Sequence, residues 1–257
     1  MNGPRRITSS YNALLMRVRR LSSEPMAYRR LGQVWVEGEH LCAALLARSV
    51  QPRTAVVSEE AWAQPRLQAL ARRAGEVVCV PGAAFGAFSA LPSPAGLGML
   101  VAWSAPQQPL RALPTVVLDR VQDAGNVGSV LRSACALGFG QVIALKGTAG
   151  LWSPKVLRAG MGAQFGLSLH EGVGIDGLAE LPVPLVCTSP RAARRLDAGS
   201  LPWPCAWVFG HEGQGVDEAL RLRCSLDVRI PQPGGEESLN VAAAAAICLY
   251  ESARGRQ

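Results

Sequence analysis

Short apolar runs separated by helix-like segments constrain the fold of the second half of this chain most strongly. A strand buried on both faces reads as a continuous apolar run, without the alternation of a half-solvated strand. Five such runs occur: Thr115 to Leu118, Gln141 to Leu145, Leu185 to Cys187, Ala206 to Phe209 and Asp227 to Ile230. The helix-like segments are Val127 to Leu137, Pro154 to Ala159, Asp217 to Leu222 and Leu239 to Ala253. The pattern predicts an open α/β parallel sheet with helices on both faces.

Three polar, glycine-rich segments follow strands of this predicted sheet. They are Asp123 to Gly140, Val208 to Val216 and Arg229 to Ala245. Each combines glycines and uncharged hydrogen-bonding residues with a charged group. Ligands of open α/β sheets bind at the carboxyl ends of the strands, where all three segments fall. We therefore predict that the three segments form one site.

The first 103 residues show a second alternation of helix-like and strand-like segments. Predicted helices cover residues 10–22, 39–48, 60–74 and 83–89, and predicted strands cover residues 33–37, 54–57, 76–80 and 98–103. Residues 104–114 contain three prolines and little apolar periodicity, as is typical of a linker. We predict a small α/β domain over residues 1–103, a linker over 104–114 and a larger α/β domain over 115–257.

Excess positive charge is confined to the first part of the chain. Residues 1–111 contain 13 arginines and 6 glutamates, a net charge of +7, whereas residues 112–257 contain 13 basic and 13 acidic residues. The basic cluster near the N-terminus includes Arg17, Arg19, Arg20, Arg29 and Arg30. Such a cluster can follow a phosphate backbone, so nucleic acid is the expected partner. The alternative is a solvated helix face in a chain that uses arginine in place of lysine.

Metal and common nucleotide sites lack their sequence signatures. The spacing of Gly125 and Gly128 does not match G-x-G-x-x-G, and neither G-x-x-x-x-G-K-[ST] nor H-E-x-x-H occurs. The three histidines lie far apart in the sequence, so we expect no metal. These observations disfavour dinucleotide-dependent dehydrogenases, P-loop enzymes and zinc proteases.

The apolar runs and the cysteines indicate the cellular compartment of the protein. The longest apolar run, Val241 to Tyr250, is far shorter than the roughly 20 residues of a spanning helix, so we expect no membrane segment. Seven scattered cysteines without a C-x-x-C pair favour reduced thiols and a cytoplasmic location. An arginine- and serine-rich leader over residues 1–23 is the alternative, but we interpret these residues as mature sequence.

The three polar segments together resemble the motifs of a known enzyme family. The matching residues are Asn126-x-Gly128-x-x-x-Arg132, then Gly210-x-Glu212-Gly213-x-Gly215, and Ile230-Pro231 followed by Ser238-Leu239-Asn240. In order and spacing they resemble the SpoU/TrmH family of RNA 2′-O-ribose methyltransferases, in the SPOUT superfamily, over residues 115–253. Residues 1–103 resemble, less specifically, the substrate-binding domain similar to ribosomal protein L30e that precedes the catalytic domain in many members.

The resemblance implies a C-terminal trefoil knot that binds S-adenosylmethionine, and a homodimer. The knot would include residues 188–190, 209–215 and 230–240. Cofactor-binding residues would be Thr188, Gly210, Gly215, Ile230, Pro231, Ser238, Leu239 and Asn240. RNA-binding residues would be Arg17, Arg19, Arg20, Arg29, Arg30 and Arg158. Ribosomal RNA is the favoured substrate, with tRNA as the alternative. Methylation of a base nitrogen and RNA binding without catalysis are the alternative functions.

Residues assigned to the chemistry are Arg132, Asn126, Glu212, Ser238 and Asn240. A ribose 2′-hydroxyl has a pKa far above 7, so methyl transfer requires loss of its proton and stabilisation of the developing alkoxide. Arg132 is a poor proton acceptor but stabilises an oxyanion, so we expect electrostatic activation from the early turns of a helix that begins near Asn126. Asn126 is expected to cap that helix and to present its amide to the ribose or to Arg132. Glu212 is expected to accept hydrogen bonds from the backbone of the knot or from Asn126 and Arg132.

This sequence departs from the family pattern at three positions. Ala124 follows Asp123 where many relatives have proline, His211 stands where asparagine is common, and Ala159 stands where many members have serine. None of these residues is among those assigned to chemistry. The departure at Ala159 puts in doubt only a supporting contact to RNA or to a partner subunit.

Overall fold

The structure is a computed structural model that describes residues 3–9, 11–106, 110–234 and 238–254. The first 105 residues contain strands β1 (Arg5–Arg6), β2 (Gln33–Glu37), β3 (Thr54–Ser58), β4 (Glu76–Val80) and β5 (Leu97–Ala102). The helices of this part are α1 (Ala13–Ser23), α2 (Ala27–Leu31), α3 (Glu39–Ala47), α4 (Glu59–Trp62), α5 (Pro65–Ala71) and α6 (Gly82–Gly86).

The remaining residues contain seven strands and four helices among those described. The strands are β6 (Thr115–Leu118), β7 (Gln141–Leu145), β8 (Ser168–Val173), β9 (Leu185–Thr188), β10 (Arg194–Arg195), β11 (Ala206–Phe209) and β12 (Leu226–Arg229). The helices are α7 (Ala124–Ala136), α8 (Pro154–Gly160), α9 (Glu218–Arg221) and α10 (Val241–Ala253). Short 3₁₀ turns cover Ala163–Gly166, Ile175–Glu180 and Ala198–Ser200.

The chain divides into two compact units. The first contains residues 1–105 together with 152–165, and the second contains residues 106–151 and 166–257. Helix α8 therefore belongs to the first unit, where Leu157 is buried in the core and Trp152 and Phe165 pack against it. The domain limits predicted from sequence, 1–103 and 115–257, would place α8 in the second unit.

The first unit is a five-stranded mixed sheet with helices. Its strand order is β1-β4-β3-β5-β2, with β1, β4 and β3 parallel and β5 antiparallel to both of its neighbours. The buried aromatic side chains of Trp35, Phe85 and Phe88 contact one another in its core. This confirms the small α/β fold predicted for this part of the chain.

The second unit is a seven-stranded sheet in which every neighbouring pair is parallel. Its strand order is β10-β12-β9-β11-β6-β7-β8. Strands β12, β9, β11 and β6 are consecutive in this order, and parallel strands present their carboxyl ends at the same edge. The three polar segments that follow β6, β11 and β12 therefore start at neighbouring strand ends, as the sequence predicted.

Both faces of this sheet are covered, which explains the continuous apolar strands. Val117 and Val208 pack on one face, in a cluster that includes Leu220 of α9 and also Leu178. On the other face, the buried Trp207 indole donates a 2.8 Å hydrogen bond to Ser252 Oγ of α10. Helix α10 also packs beside α7. A strand between two apolar layers has no solvated face to carry polar residues.

Several predicted elements needed correction. The single helix predicted over residues 60–74 is two helices, because Pro65 cannot continue a helix and instead starts α5. Strands β1, β8 and β10 and helix α2 were not predicted. Strand β8 contains His170 and Glu171 and lies at the edge of the sheet, so its sequence lacks a continuous apolar run. The predicted start of the first helix at Ser10 lies outside the described residues.

Candidate functional site

A buried carboxylate lies directly after strand β6. The side chain of Asp119 is only 3% exposed, and a buried charge requires charged or hydrogen-bonding partners. Its Oδ1 accepts from Arg120 Nε at 2.9 Å and its Oδ2 accepts from Arg120 Nη2 at 3.0 Å, a two-point contact. Asp119 Oδ2 also accepts from the backbone N–H of Asp217 at 2.7 Å. The strand end is thus joined to the chain that follows β11.

Arg120 continues this connection. Its Nη1 donates to Gln214 Oε1 at 3.1 Å, and its Nη2 lies 3.9 Å from Asp217 Oδ2. The hydrogen bonds to Asp119 raise the pKa of the guanidinium. Arg120 has a φ of 57°, a backbone conformation that non-glycine residues rarely adopt. Asp119, Arg120, Gln214 and Asp217 were not among the predicted site residues. A charged pair directly after a buried parallel strand was the available sequence signal.

A second connection runs through Glu212. Its Oε1 accepts from the backbone N–H of Asp123 at 3.1 Å and from Asn126 Nδ2 at 3.2 Å, and its Oε2 accepts from the backbone N–H of Gln122 at 3.3 Å. Partial burial opposes ionisation, but these bonds and that of its own backbone N–H lower the pKa of Glu212. The predicted contact between Glu212 and Asn126 is confirmed. Glu212 therefore fixes the second polar segment to the start of the first.

Asn126 also contacts the third polar segment. Its Oδ1 accepts from Asn240 Nδ2 at 2.9 Å, while Asn240 Oδ1 caps α10 by accepting from the backbone N–H groups of Ala242 and Ala243. The prediction that Asn126 caps α7 is wrong. Asp123 is the cap, and its Oδ1 accepts from the backbone N–H of Asn126 at 2.7 Å. The Asn126 amide is thereby free to join Glu212 to Asn240.

The loop over residues 210–217, called here the motif-two loop, folds tightly on itself. His211 and Gly215 exchange backbone hydrogen bonds of 3.0 and 2.8 Å, and Gly215 has a φ of +71°. A Cβ at Gly210 would collide with the backbone of Gly215 and Val216, so this position requires glycine. His211 Nδ1 accepts from the backbone N–H groups of Gly213 and Gln214 at 3.0 and 3.3 Å. An asparagine oxygen can accept in the same way, which accounts for the departure from the family pattern at this position.

The side chain of Arg132 takes no part in these hydrogen bonds. The helix begins at Ala124, so Arg132 lies in its third turn, about 9 Å along the axis from Asn126. The side chain is exposed and makes no hydrogen bond or ion pair with any residue that the structure describes. The predicted contact between Glu212 and Arg132 is absent from the described part of the chain, and the expected position in the early turns is wrong.

The remaining predicted cofactor residues lie along the same sheet edge. Thr188 is the last residue of β9 and pairs with Val228 of β12, and Ile230 and Pro231 follow β12 directly. Leu239 is 39% exposed immediately before α10, and Ser238 beside it is also exposed. Residues 235–237 of the third segment lie outside the described residues.

The predicted RNA-binding arginines belong to the first unit and differ in their surroundings. The side chains of Arg19 and Arg20 are exposed on α1 and have no hydrogen-bond or ion-pair partner among the described residues. Arg17 donates to Gln33 at 3.3 Å, Arg30 pairs with Glu24 at 2.5 Å, and Arg29 donates to the Tyr28 hydroxyl at 3.2 Å. Arg158 is half-buried and borders a small cavity that Trp35 and Leu41 also line. Arg19 and Arg20 are therefore the members best placed to meet phosphate.

No group of three or more histidine, cysteine, aspartate or glutamate side chains among the described residues is arranged to hold a metal ion. No helix in the described ranges combines the length and apolar character needed to cross a membrane.

Comparison with known proteins identifies relatives over the second unit and over the whole chain. The profile of the SpoU rRNA Methylase family matches residues 114–250. An uncharacterised tRNA/rRNA methyltransferase of Synechocystis is 30% identical over 96% of this chain and 93% of its own length. The 23S rRNA (guanosine-2′-O-)-methyltransferase RlmB of Bordetella pertussis is 38% identical, over 55% of this chain and 60% of RlmB.

A solved structure extends the likeness to the fold of nearly the entire chain. The SpoU methyltransferase AviRb from Streptomyces viridochromogenes, in complex with AdoMet, matches with a TM-score of 0.85 and 25% identity. The match covers 95% of this chain and 98% of AviRb.

Proposed function

We propose, because this chain belongs to the SpoU rRNA methylase family, that it transfers a methyl group from S-adenosylmethionine to a ribose 2′-hydroxyl of ribosomal RNA. One observation carries the proposal. The three motif segments meet at one sheet edge, where Asn126 bonds to both Glu212 and Asn240 across 86 and 114 residues of sequence. Side chains so distant in sequence are brought together by the fold at the place where open α/β sheets bind ligands.

The residues at this edge suit the cofactor. S-adenosylmethionine, when bound, supplies an electrophilic methyl group on a sulfonium. Leu239 offers an exposed apolar side chain for an adenine ring, beside the start of α10. Arg229 Nε and Gln232 Oε1, which flank Ile230 and Pro231, are buried and lack hydrogen-bond partners among the described residues. Buried polar atoms normally form hydrogen bonds, so a polar ligand beside these two atoms would supply the missing hydrogen bonds.

The trefoil knot is part of this proposal. Its support is the strand order β12-β9-β11-β6, together with α10 returning to pack beside α7. The proposed likeness of the first unit to ribosomal protein L30e is supported by its mixed α/β sheet and by its excess of arginine.

Arg132 is the proposed activating residue. Its guanidinium has no partner among the described residues, so its charge is available to a developing 2′-alkoxide. It retains its proton throughout, and a phosphate or water accepts the proton of the ribose hydroxyl. Glu212 and Asn126 hold the start of α7 in place, while Ser238 and Asn240 order the start of α10.

The substrate and assembly proposals rest on different observations. The relatives named as rRNA methyltransferases and the exposed Arg19 and Arg20 support ribosomal RNA, with tRNA as the alternative. A homodimer is supported by the apolar surface of α10, where Ile247 is 40% and Tyr250 57% exposed. The activity is proposed for the cytoplasm, which the scattered cysteines favour.

The test is product analysis. The full chain is incubated with methyl-labelled S-adenosylmethionine and protein-free ribosomal RNA or tRNA, and the RNA is digested to nucleosides. The proposal predicts labelled 2′-O-methylnucleosides from ribosomal RNA. Label in methylated bases would overturn the ribose assignment, label only in tRNA would overturn the substrate, and no label in either RNA would overturn the activity.

A further inference from the structure

We infer that Arg120 is a positioning residue for the cofactor, acting through the motif-two loop; this deepens the proposed function and rests on it. Residues 212–215 of that loop are exposed, and its internal bonds between His211 and Gly215 shape the loop without fixing its place on the sheet. Contacts between the loop and residues outside it do so from two sides. The contacts of Glu212 to the start of α7 form one anchor, and Arg120 with Asp119 forms the other.

The Arg120 anchor holds the loop at two points. Through Asp119, which accepts from both Arg120 and the Asp217 N–H, it holds the base of the loop. Through its 3.1 Å bond to Gln214 Oε1, it holds the tip. The planar guanidinium makes these contacts simultaneously, because Nε and Nη2 face Asp119 while Nη1 faces Gln214. A lysine has a single nitrogen and cannot reproduce the arrangement.

The local backbone accommodates this side chain. Arg120 adopts a φ of 57°, in the region that glycine enters without strain. Gly147, at a φ of +93°, leaves room for its stem, since a Cβ there would lie 3.1 Å from Arg120 Cγ. The turn at Arg120 also precedes Gln122 and Asp123, whose N–H groups bond to Glu212. Both anchors of the motif-two loop therefore depend on this turn.

The test measures binding of S-adenosylmethionine by calorimetry, with the unfolding temperature of each ligand-free protein as a second readout. The variants are Arg120→Gly, Arg120→Lys, Gln214→Ala and Gln214→Glu. Arg120→Gly keeps the turn unstrained and removes the whole side chain, including the guanidinium. Ser49→Gly is the matched control, because Ser49 has the same φ of 57° and lies in the first unit.

The inference predicts a graded loss of affinity. Arg120→Gly weakens binding by roughly tenfold or more and Arg120→Lys by less, whereas Gln214→Ala weakens it by about threefold, as expected for one exposed hydrogen bond. Gln214→Glu retains the acceptor and stays within about twofold, and Ser49→Gly binds normally. Gln214→Ala unfolds at the wild-type temperature, which separates positioning from a general effect on stability.

Three results would contradict the inference or the proposed function. If the wild-type chain binds S-adenosylmethionine and both Arg120→Gly and Gln214→Ala bind it equally well, the positioning role is wrong while the proposed function stands. Should Arg120→Gly fail to fold, Gln214→Ala decides alone, and unchanged affinity in that variant overturns the inference. If the wild-type chain does not bind the cofactor, the proposed function is overturned and the inference with it.

Discussion

The two units of this protein use their charged side chains in opposite ways. In the second unit, Asp119, Arg120 and Glu212 bond to other protein groups at the edge of a parallel sheet. On helix α1 of the first unit, the side chains of Arg19 and Arg20 are exposed and bond to no other residue that the structure describes. The sequence shows the same asymmetry, since the net charge of +7 lies entirely within residues 1–111.

The difference separates recognition of a small molecule from recognition of a polyanion. Side chains that are mutually hydrogen-bonded hold one geometry, which suits a cofactor whose methyl group must be aimed at one oxygen. Unpaired cations on long side chains can follow phosphates in many arrangements, and they act mainly through counterion release. Arg132 differs from the other charged motif residue, Glu212, because its side chain is exposed and has no hydrogen-bond or ion-pair partner among the described residues. We therefore expect it to act on the RNA rather than on the fold.

The strongest way to break this comparison is to remove Arg132. Arg132→Ala is expected to lower kcat by about 10²- to 10³-fold, the usual effect of losing a stabiliser of a developing oxyanion. Binding of S-adenosylmethionine and of RNA should change little, because the side chain bonds to no described residue. Single-turnover methyl transfer measures the effect, with Ser129→Ala on the same helix as the control. Near-wild-type turnover with normal binding would remove Arg132 from the chemistry.

Glu212→Gln tests the hydrogen-bonded network of the second unit. One carboxylate oxygen becomes an NH₂ group that faces N–H donors, so we expect cofactor affinity to fall by about 1–3 kcal/mol, roughly fivefold to 150-fold. Calorimetry measures the change. Glu218→Gln, at an exposed carboxylate at the start of α9, is the control. Equal affinities for Glu212→Gln and wild type would show that this anchor does not shape the site.

The same residue gives a pH dependence with a defined sign. The pKa of Glu212 is lowered from its ordinary value of 4.5 in the folded protein. Its contribution to stability is therefore complete above the unfolded value and is lost as the pH falls from 4.5 through the folded pKa. Thermal unfolding between pH 7 and pH 3 should show a shallower acid loss in Glu212→Gln than in wild type. Identical profiles would contradict the assignment.

The salt dependence of RNA binding tests the role of the unpaired arginines of helix α1. Each phosphate contact to single-stranded nucleic acid contributes about 0.7 to the slope of log affinity against log salt. The double variant Arg19→Ala and Arg20→Ala should therefore lower the slope for RNA binding by about 1.4 and leave cofactor affinity unchanged. Arg53→Ala with Arg73→Ala removes the same charge from exposed positions outside the predicted cluster. An equal change of slope in both pairs would show that the surface binds RNA without a defined cluster.

The smallest expected effect concerns His211. His211→Asn keeps an acceptor for the backbone N–H groups of Gly213 and Gln214 and should alter cofactor affinity by no more than about twofold. His211→Ala leaves those groups without the acceptor, and we expect a loss of about fivefold, or 1 kcal/mol. Calorimetry of the two variants decides. An asparagine variant as weak as the alanine variant would contradict the acceptor role.

Continuous apolar strands were the most predictable part of this structure. Strands β6, β7 and β11 have the predicted limits, because burial on both faces leaves a strong local pattern. The meeting of three polar segments followed from the rule that parallel strands end at one edge. The break at Pro65 was missed although the proline itself is a local signal for it. The edge strand β8 was missed because its polar residues interrupt its apolar character.

The contacts of the site were harder to predict than its position. Asp119 and Arg120 reach residues 94 to 98 positions away, and no local pattern specifies such partners. The left-handed backbone conformation of Arg120 could not be predicted either, because arginine has no preference for it. The expected place of Arg132 was wrong because the helix starts three residues earlier than predicted, at Ala124 instead of Val127. A shift of three residues moves a side chain by most of a helical turn.

The central claim, methylation of a ribose in ribosomal RNA, is tested most directly by mapping ribose methylation in the source organism without this gene. Ribose 2′-O-methylation protects the adjacent phosphodiester from alkali, so each modified position appears as a resistant bond. The account predicts that a resistant bond in ribosomal RNA disappears in the deletion strain. It should return with the wild-type gene and stay absent with Arg132→Ala. Ribosomal RNA with an unchanged alkali-resistance map would contradict the claim.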